Sequence, residues 1–368
     1  MTDALVIGAG IIGASCAWRL AQAGLSVSIL DRSAPGSEAS QAALGVLTFH
    51  GRTDVMPEPL QVLSRKSADF FPAIVEELRE VTGYQIYFRQ EGQLILAIEQ
   101  HELAELERTL HVNREAGVEM QQASVDEAVL MEPNLNPEIA GALYSPSDAW
   151  VDNTALTQAL FRAAETAGAS FRRLAVTSIE SKDGHVTGVR AGKELVEADR
   201  VVLAAGCWSG QINGVPRLPV VPQRGQAFSV EGSFFRRVVH SRRAYVVPKG
   251  ETQTMLGATV EDVGFDTTNT PGGIRDVASR VFEISPQLQS ATFIGAWAGL
   301  RPGTPDDMPI IGPFDELPNL VIATGHFRNG ILLAPITAQL VREVVLGEPT
   351  LVDLAPFSPD RDSLKPQK

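Results

Sequence analysis

Two cysteines in 368 residues, Cys16 and Cys207, are too few for a disulfide framework, and no CxxC pair is present. Basic charge is equally short. The chain has 31 Lys and Arg against 44 Asp and Glu, a formal net charge of −13. Such a surface repels nucleic acid and anionic membrane, so neither is an expected partner. No stretch reaches the roughly 18 uninterrupted apolar residues of a membrane span. The apolar start, Ala4 to Ala17, has no basic flank, follows Asp3 and is broken by glycines, unlike a secretory leader. The chain therefore reads as cytoplasmic. The histidines, His50, His101, His111, His185, His240 and His326, show no HxxH or HExxH spacing, so no metal site is expected. No internal repeat or low-complexity tract is evident.

What the chain does have is concentrated at its start. Ala4-Leu5-Val6-Ile7 reads as a short apolar strand, and Gly8-Ala9-Gly10-Ile11-Ile12-Gly13 as a glycine turn entering a helix that runs through Ala23. Ser26 to Leu30 is a second strand, ending on Asp31. Strand, glycine turn, helix, strand and acid in this order form a dinucleotide-binding unit. Gly8 permits the tight turn, Gly10 lets the backbone approach a pyrophosphate, and Gly13 lets the helix pack on the sheet. The helix start at Ile11 and Ile12 turns free N–H groups and a positive dipole end to the phosphates. Asp31, about 20 residues on, can accept the ribose hydroxyls. A nicotinamide enzyme usually runs from the acid straight into another helix. Here Arg32 to Val46, with Ala39, Ser40, Leu44, Gly45 and Val46, is a small-residue segment without apolar period. It suits a backbone lying along an extended cofactor and points to FAD, although its composition also fits a surface loop.

Length allows two domains or one elaborated domain. The chain reads as α/β with an α+β second domain: a Rossmann-like FAD-binding domain interleaved with an antiparallel-sheet substrate domain. The expected division is 1–50, 139–218 and 290–368 for the cofactor, and 51–138 and 219–289 for the substrate. Helices are expected at Leu60 to Val81 (with Pro72 a kink or break), His101 to Ala116, Val125 to Met131, Thr154 to Ala167 behind a cap at Asp152 or Asn153, Ile274 to Ile284, and Leu332 to Leu346. Strands are expected at Gln85 to Arg89, Gln93 to Ile98, Gly141 to Tyr144, Arg200 to Ala205, Gln226 to Val230, Ala244 to Val247, Thr254 to Ala258, Phe293 to Leu300 and Leu320 to Ala323. A hairpin at Asp183-Gly184 joins Val176 to Glu180 with Val186 to Arg190. The proline-rich tail past Gly347 reads as ordered only in part. In Gly206-Cys207-Trp208-Ser209-Gly210 the serine falls one place late for a G-x-S-x-G elbow, which argues against a serine hydrolase.

The GAGIIG start, the DR…S-x-A-S-x-A-A-x-G segment, and the AAGCWSG, AGLRPGTPD and GHFRNGILLAP blocks resemble the D-amino acid oxidase superfamily. Within it they are most similar to the glycine oxidase branch, which serves thiazole synthesis for thiamine. The resemblance runs from Leu5 to about Leu346. It implies FAD held non-covalently, since neither Cys16 nor Cys207 lies in a block that matches the covalent members. It adds cofactor contacts from Val176, Ala205, Gly206 and Trp208, and from His326, Phe327, Arg328, Asn329, Gly330, Ile331 and Leu332. Arg301 would anchor the substrate carboxylate, with Tyr245 and Arg328 beside it. Read without the resemblance, Arg301 fits equally well as a structural partner of Asp306 or Asp307, and Tyr245 as an ordinary strand tyrosine. Two positions depart from the pattern: Arg243 stands where His is common, and Val260 where Met faces the substrate. Both touch the pocket wall.

The implied reaction moves a hydride from the α-carbon of a free-base amine to the flavin, and water hydrolyses the imine. The products are a 2-oxo acid, ammonia or an amine, and, with oxygen as acceptor, hydrogen peroxide. No residue is needed as acid or base. Glycine, sarcosine and small D-amino acids stay open as substrates, as does a homo-oligomeric state. A D-amino acid dehydrogenase or a sarcosine oxidase-like enzyme with another acceptor is the alternative. A flavin-dependent tRNA-modifying protein is disfavoured by the acidic charge.

Overall fold

The computed structural model describes residues 2–49 and 56–365. The expected junction between the first cofactor segment and the first inserted segment lies outside the described residues, as does His50.

Parallel pairing explains the apolar runs at the start. Thr2–Ile7 lies between Val27–Asp31 and Glu194–Leu203, parallel to both. Ser170–Arg173 and Leu317–Thr324 extend this parallel core at its two sides. Ile310–Phe314 closes one side antiparallel, and the Ser178–Lys182/His185–Ala191 hairpin pairs with the first half of Glu194–Leu203. Ala4 and Val6 pack into a core shared with the helices Ile11–Gln22, Glu58–Thr82, Asn153–Thr166 and Gly330–Leu346. Leu5 and Ile7 face a second core beneath the hairpin. A sheet covered on both faces has no use for alternation, so its strands read as unbroken apolar runs.

A second eight-stranded sheet runs in the order Phe293–Gly303, Val221–Glu231, Gln253–Gly257, Tyr245–Lys249, Val238–Ser241, Gln93–Ala97, Gly141–Ser145 and Gln121–Ala123. Every pair is antiparallel except Val238–Ser241 with Gln93–Ala97. Those two strands come from separate inserted segments, so no hairpin dictates their direction. The helices Val125–Met131 and Pro271–Ile284 bury one face, and Leu103–Glu115 packs on Ile95 and Leu143 of the other. Gly141–Ser145 and Phe293–Gly303 fall in segments expected to belong to the cofactor domain, yet both hydrogen-bond into this sheet.

Several local expectations need correction. Pro72 does not break its helix, which runs unbroken over Glu58–Thr82; burial of Phe71, Ile74, Val75 and Leu78 outweighs one missing backbone hydrogen bond. Of Gln85 to Arg89 only Phe88–Arg89 is strand, and it joins Ala149–Val151 and Val46–Leu47 in a small third sheet. Ile310–Phe314 was hidden by prolines on either side of its apolar pair, and Pro313 is tolerated because the strand lies at an edge. The tail is packed rather than loose over 348–365, with Phe357 and Leu364 buried. Among the described residues, no helix is long and apolar enough to cross a membrane.

The tail is locked by one ion pair. Arg361 grips Asp306 with two hydrogen bonds, at 2.8 and 3.0 Å, and also donates to the Met308, Pro309 and Ser358 carbonyls. Burial alone would raise the Asp306 carboxyl, but hydrogen bonds from Arg361 and Ser363 and the charge of Arg361 bring it down to about 2. Its stabilising contribution is therefore complete above about pH 4 and is lost as pH falls through about 2. Arg361→Ala strands a buried carboxylate and is expected to cost about 3–5 kcal/mol. A lowered urea midpoint at pH 7, with a smaller difference from the parent protein towards pH 2, checks this.

Candidate active site

The first strand ends on Gly8, whose φ of +108° and closeness to Ala204 leave no room for a side chain; a Cβ would collide with the Ala204 carbonyl oxygen. The chain then enters the Ile11–Gln22 helix with no cap from Gly10 itself. Ser40 substitutes, its Oγ accepting the Ile11 N–H at 2.9 Å. Asp31 accepts the Ala9 N–H at 2.7 Å and the Ser33 N–H at 2.8 Å, one on each oxygen. Each oxygen keeps acceptor capacity for a hydroxyl. Asp31 thus holds the glycine turn as well as facing the cavity.

These surfaces open on one cavity of about 1330 Å³. That exceeds the roughly 300–1,000 Å³ of an ordinary small-molecule site and leaves room for a dinucleotide beside a small substrate. Every residue expected to touch cofactor or substrate lines it, except Gly13. A Cβ on Gly13 would strike the Gly8 carbonyl oxygen, so its part is to let the helix close on the turn. Arg32 lies 3.9 Å over the Trp208 ring and pairs with Glu38 at 2.9 Å. The segment after Arg32 is no surface loop. Trp297 Nε1 donates to the Ala42 carbonyl at 3.0 Å, and Asn153 Nδ2 donates to the Ser40 carbonyl at 2.7 Å. Lys249 Nζ in turn donates to Asn153 Oδ1 at 3.0 Å. The segment is held between the dinucleotide unit and the second sheet.

Arg301 sits within the Phe293–Gly303 strand, opposite Gln223, rather than at a strand end. Its guanidinium lies over Gly225, where a Cβ would run into it. Nη1 donates to the Thr259 carbonyl at 3.1 Å. That carbonyl is fixed in place, because the Thr259 hydroxyl donates to Glu261 and accepts the Gln226 N–H at 2.9 Å. Glu261 is held in turn by Arg224 at 2.6 Å. Among the described residues no carboxylate pairs with Arg301, and Asp306 is committed to Arg361. Burial, then the nearby charge of Arg328, pull the Arg301 guanidinium down to about 10, with Tyr245 opposing. It stays cationic at neutral pH and lacks a counter-ion.

The remaining expected residues gather around it. Tyr245 is half-buried and stacked on His240, with ring centroids 5.1 Å apart. His326 is buried with Nε2 3.0 Å from Thr337 Oγ1, and burial pushes its imidazole down to about 3, so it is neutral. The Phe327 N–H donates to the Pro302 carbonyl at 2.9 Å, tying this loop to the Arg301 strand. Arg328 is exposed, 5.1 Å over the Phe327 ring. The last helix begins at Gly330, with no side-chain cap from Asn329, so its first amides face the cavity uncapped. Arg243 and Val260 are exposed at the lining.

Among the lining residues that escaped the sequence reading are Gly225, Gly299, Glu261, Asp276 and Arg280. A glycine inside a strand signals a close approach, and both glycines show one, Gly299 against Ala42 and Gly225 against Arg301. The charged three look like ordinary surface residues in sequence.

The family described as FAD dependent oxidoreductase (DAO) matches residues 3–344. A glycine oxidase of Geobacillus kaustophilus is 35% identical over 364 residues, covering 97% of this chain and 96% of its own. The crystal structure of that organism's glycine oxidase superposes with a TM-score of 0.93 at 34% identity, over 98% of both chains. A solved iminodiacetate oxidase from a Chelativorans species gives a TM-score of 0.89 at 31% identity, over 97% of this chain and 99% of that one. A bifunctional ThiO/ThiG protein of Trichormus variabilis is 33% identical over 353 residues, 94% of this chain and 52% of its own length. A cavity that joins a dinucleotide cradle to an unpaired arginine, in a chain matched over almost its whole length, leads to one assignment: the protein belongs to the DAO family of FAD-dependent oxidoreductases.

Proposed function

We propose that the protein is an amine oxidase of the glycine oxidase type, taking small amino acids through their carboxylate and releasing a 2-oxo acid, ammonia or an amine, and hydrogen peroxide. The observation that carries this reading is Arg301, a cation on the cavity wall whose one hydrogen bond among the described residues is to a carbonyl. The cavity fits FAD: the Gly8 turn excludes a side chain, Asp31 offers acceptors, and two helix starts face the same space. When bound, FAD supplies the hydride acceptor.

The chain's own part is orientation. Arg301 would take the substrate carboxylate by two parallel hydrogen bonds, with the Tyr245 hydroxyl and Arg328 completing the clamp. A substrate with its carboxylate fixed there would share the cavity with the Ala39–Val46 segment. The amine enters as the free base, and neutral His326, tied to Thr337, takes no proton from it. The first amides of the Gly330–Leu346 helix favour negative charge at that end of the cavity. The two-domain division belongs to the same proposal, with Gly141–Ser145 and Phe293–Gly303 moved to the substrate side. A cytoplasmic enzyme that uses oxygen fits two buried free thiols, Cys16 and Cys207, and the acidic charge.

Asp31→Ala is expected to lower FAD retention through purification, while turnover per bound flavin changes little, since the acid lies at the far end from Arg301. A hundredfold fall per bound flavin would give Asp31 a role in turnover itself.

Arg301→Ala should raise KM for amino acids by about two to four decades, the equivalent of roughly 3–5 kcal/mol. Arg301→Lys should recover only part, because a point charge lacks the planar fork. Gly225→Ala should act like a milder Arg301 variant, displacing the guanidinium without removing it. The control is an amine of similar size without a carboxylate. An anchor loses only the amino acid; equal losses on both substrates would mark Arg301 as structural and remove the basis of the functional reading.

A further inference from the structure

The charges on the cavity wall do not balance, and the surplus lies at the substrate end. Glu38 is paired with Arg32, Asp276 with Arg280 at 2.6 Å, and Glu261 with Arg224, while Asp31 is occupied by backbone amides. Arg242, also on the lining, pairs with Glu105, which is not, at 3.2 Å. Three guanidiniums on the lining then have no carboxylate partner among the described residues: Arg301, Arg328 and Arg243. Against them, among the described residues, stand two lining carboxylates with no cationic partner: Asp31, at the glycine turn, and exposed Asp307 on the turn after Thr304. At the substrate end, a single substrate carboxylate therefore leaves positive charge unmet.

Arg243 is the cation without a task. It lies in the turn between Val238–Ser241 and Tyr245–Lys249, two residues before Tyr245, or about 7 Å along an extended chain. Its backbone is fixed at both ends: the N–H donates to Ser241 Oγ at 3.3 Å, and the carbonyl accepts from Arg280 Nη1 at 3.4 Å. Its side chain makes no hydrogen bond or ion pair among the described residues, and the residue is an exposed part of the cavity lining. Tyr245 pairs with Gly257, and the chain then runs on through Thr259, which holds Arg301, to Val260, an apolar side chain 49% exposed at the lining. A substrate pinned by Arg301 would pass an N-substituent along Val260 towards Arg243.

We propose that Arg243 binds a second anionic group on the substrate's nitrogen arm, so that the preferred substrates are iminodicarboxylates rather than glycine or simple N-alkyl glycines. The inference rests on the reading of Arg301 as the carboxylate anchor. The chemistry is unchanged. From iminodiacetate, one α-hydrogen leaves as a hydride to FAD, the N–H proton passes to water, and a C=N bond forms. Water then splits the imine into glyoxylate and glycine, while oxygen takes the two electrons and becomes hydrogen peroxide.

The test is the ratio of kcat/KM for iminodiacetate over N-ethylglycine, whose arm has similar length and no charge, measured on the flavin-loaded enzyme. The parent protein should favour iminodiacetate by about tenfold or more, the worth of one ion pair near 1.4 kcal/mol. Arg243→Ala should lower the ratio by about the same factor, mainly through KM. Arg243→Lys should keep part of it, Arg243→Glu should invert it, and added salt should shrink it in the parent only. A ratio near one in the parent, or one unchanged by Arg243→Ala and Arg243→Glu, overturns the inference while amine oxidation stands. If the flavin-loaded parent turns over neither amine, nor glycine, the proposed function itself fails and this inference with it.

Discussion

The site depends on one uncompensated charge. A desolvated guanidinium with a single carbonyl partner among the described residues is costly, and pairing with an anion offsets that cost. Arg301 is in that position, and its surroundings hold it there. Gly225 clears space for the planar fork, and Thr259 is held by Glu261 and Gln226 so that its carbonyl cannot swing away. Glu261 is itself bound to Arg224, which also grips Asp266 at 2.6 Å. Asp306, five residues along the chain from Arg301, is engaged instead by Arg361 of the tail.

The fold's second achievement is to bring that charge to the dinucleotide cradle. Arg301 belongs to a strand of the second sheet, whereas Gly8, Asp31 and the first helix belong to the first. The Ala39–Val46 segment joins them. Ser40 caps the first helix on one side, and Ala42 and Leu44 pack against Trp297, Gly299 and Gly257 on the other. The Phe327 hydrogen bond to Pro302 makes a second tie, from the loop before the last helix to the Arg301 strand. The dinucleotide cradle and the Arg301 surface therefore share one cavity, as hydride transfer over a short distance from a substrate held at Arg301 would require.

Much of this was legible in the residues. The opening strand–turn–helix–strand–acid order specifies its own geometry, because only glycine fits at position 8 and the acid must end the second strand. Family resemblance singled out Arg301 and Arg328 in the late blocks and Tyr245 on an inserted strand, and all three line the cavity. Sheet membership was not legible: Gly141–Ser145 and Phe293–Gly303 are set by long-range pairing that local pattern does not encode. Nor could the sequence decide between a structural and a binding Arg301. Arg361, far along a proline-rich tail whose packing has no periodic signal, engages Asp306 and so removes one of the two expected partners of Arg301. Pro72 misled in the same way, since tertiary burial outweighed a local preference.

A carboxylate held by Arg301 would put an amine's α-carbon against the flavin. Anaerobic mixing of the flavin-loaded protein with glycine, sarcosine, D-alanine and iminodiacetate tests it most directly, by following the yellow colour. The account predicts bleaching with at least one of them in a single turnover, and return of the colour on admitting oxygen, with one hydrogen peroxide formed per flavin. A protein that holds FAD and binds these amino acids, yet stays fully oxidised with all of them, would contradict it.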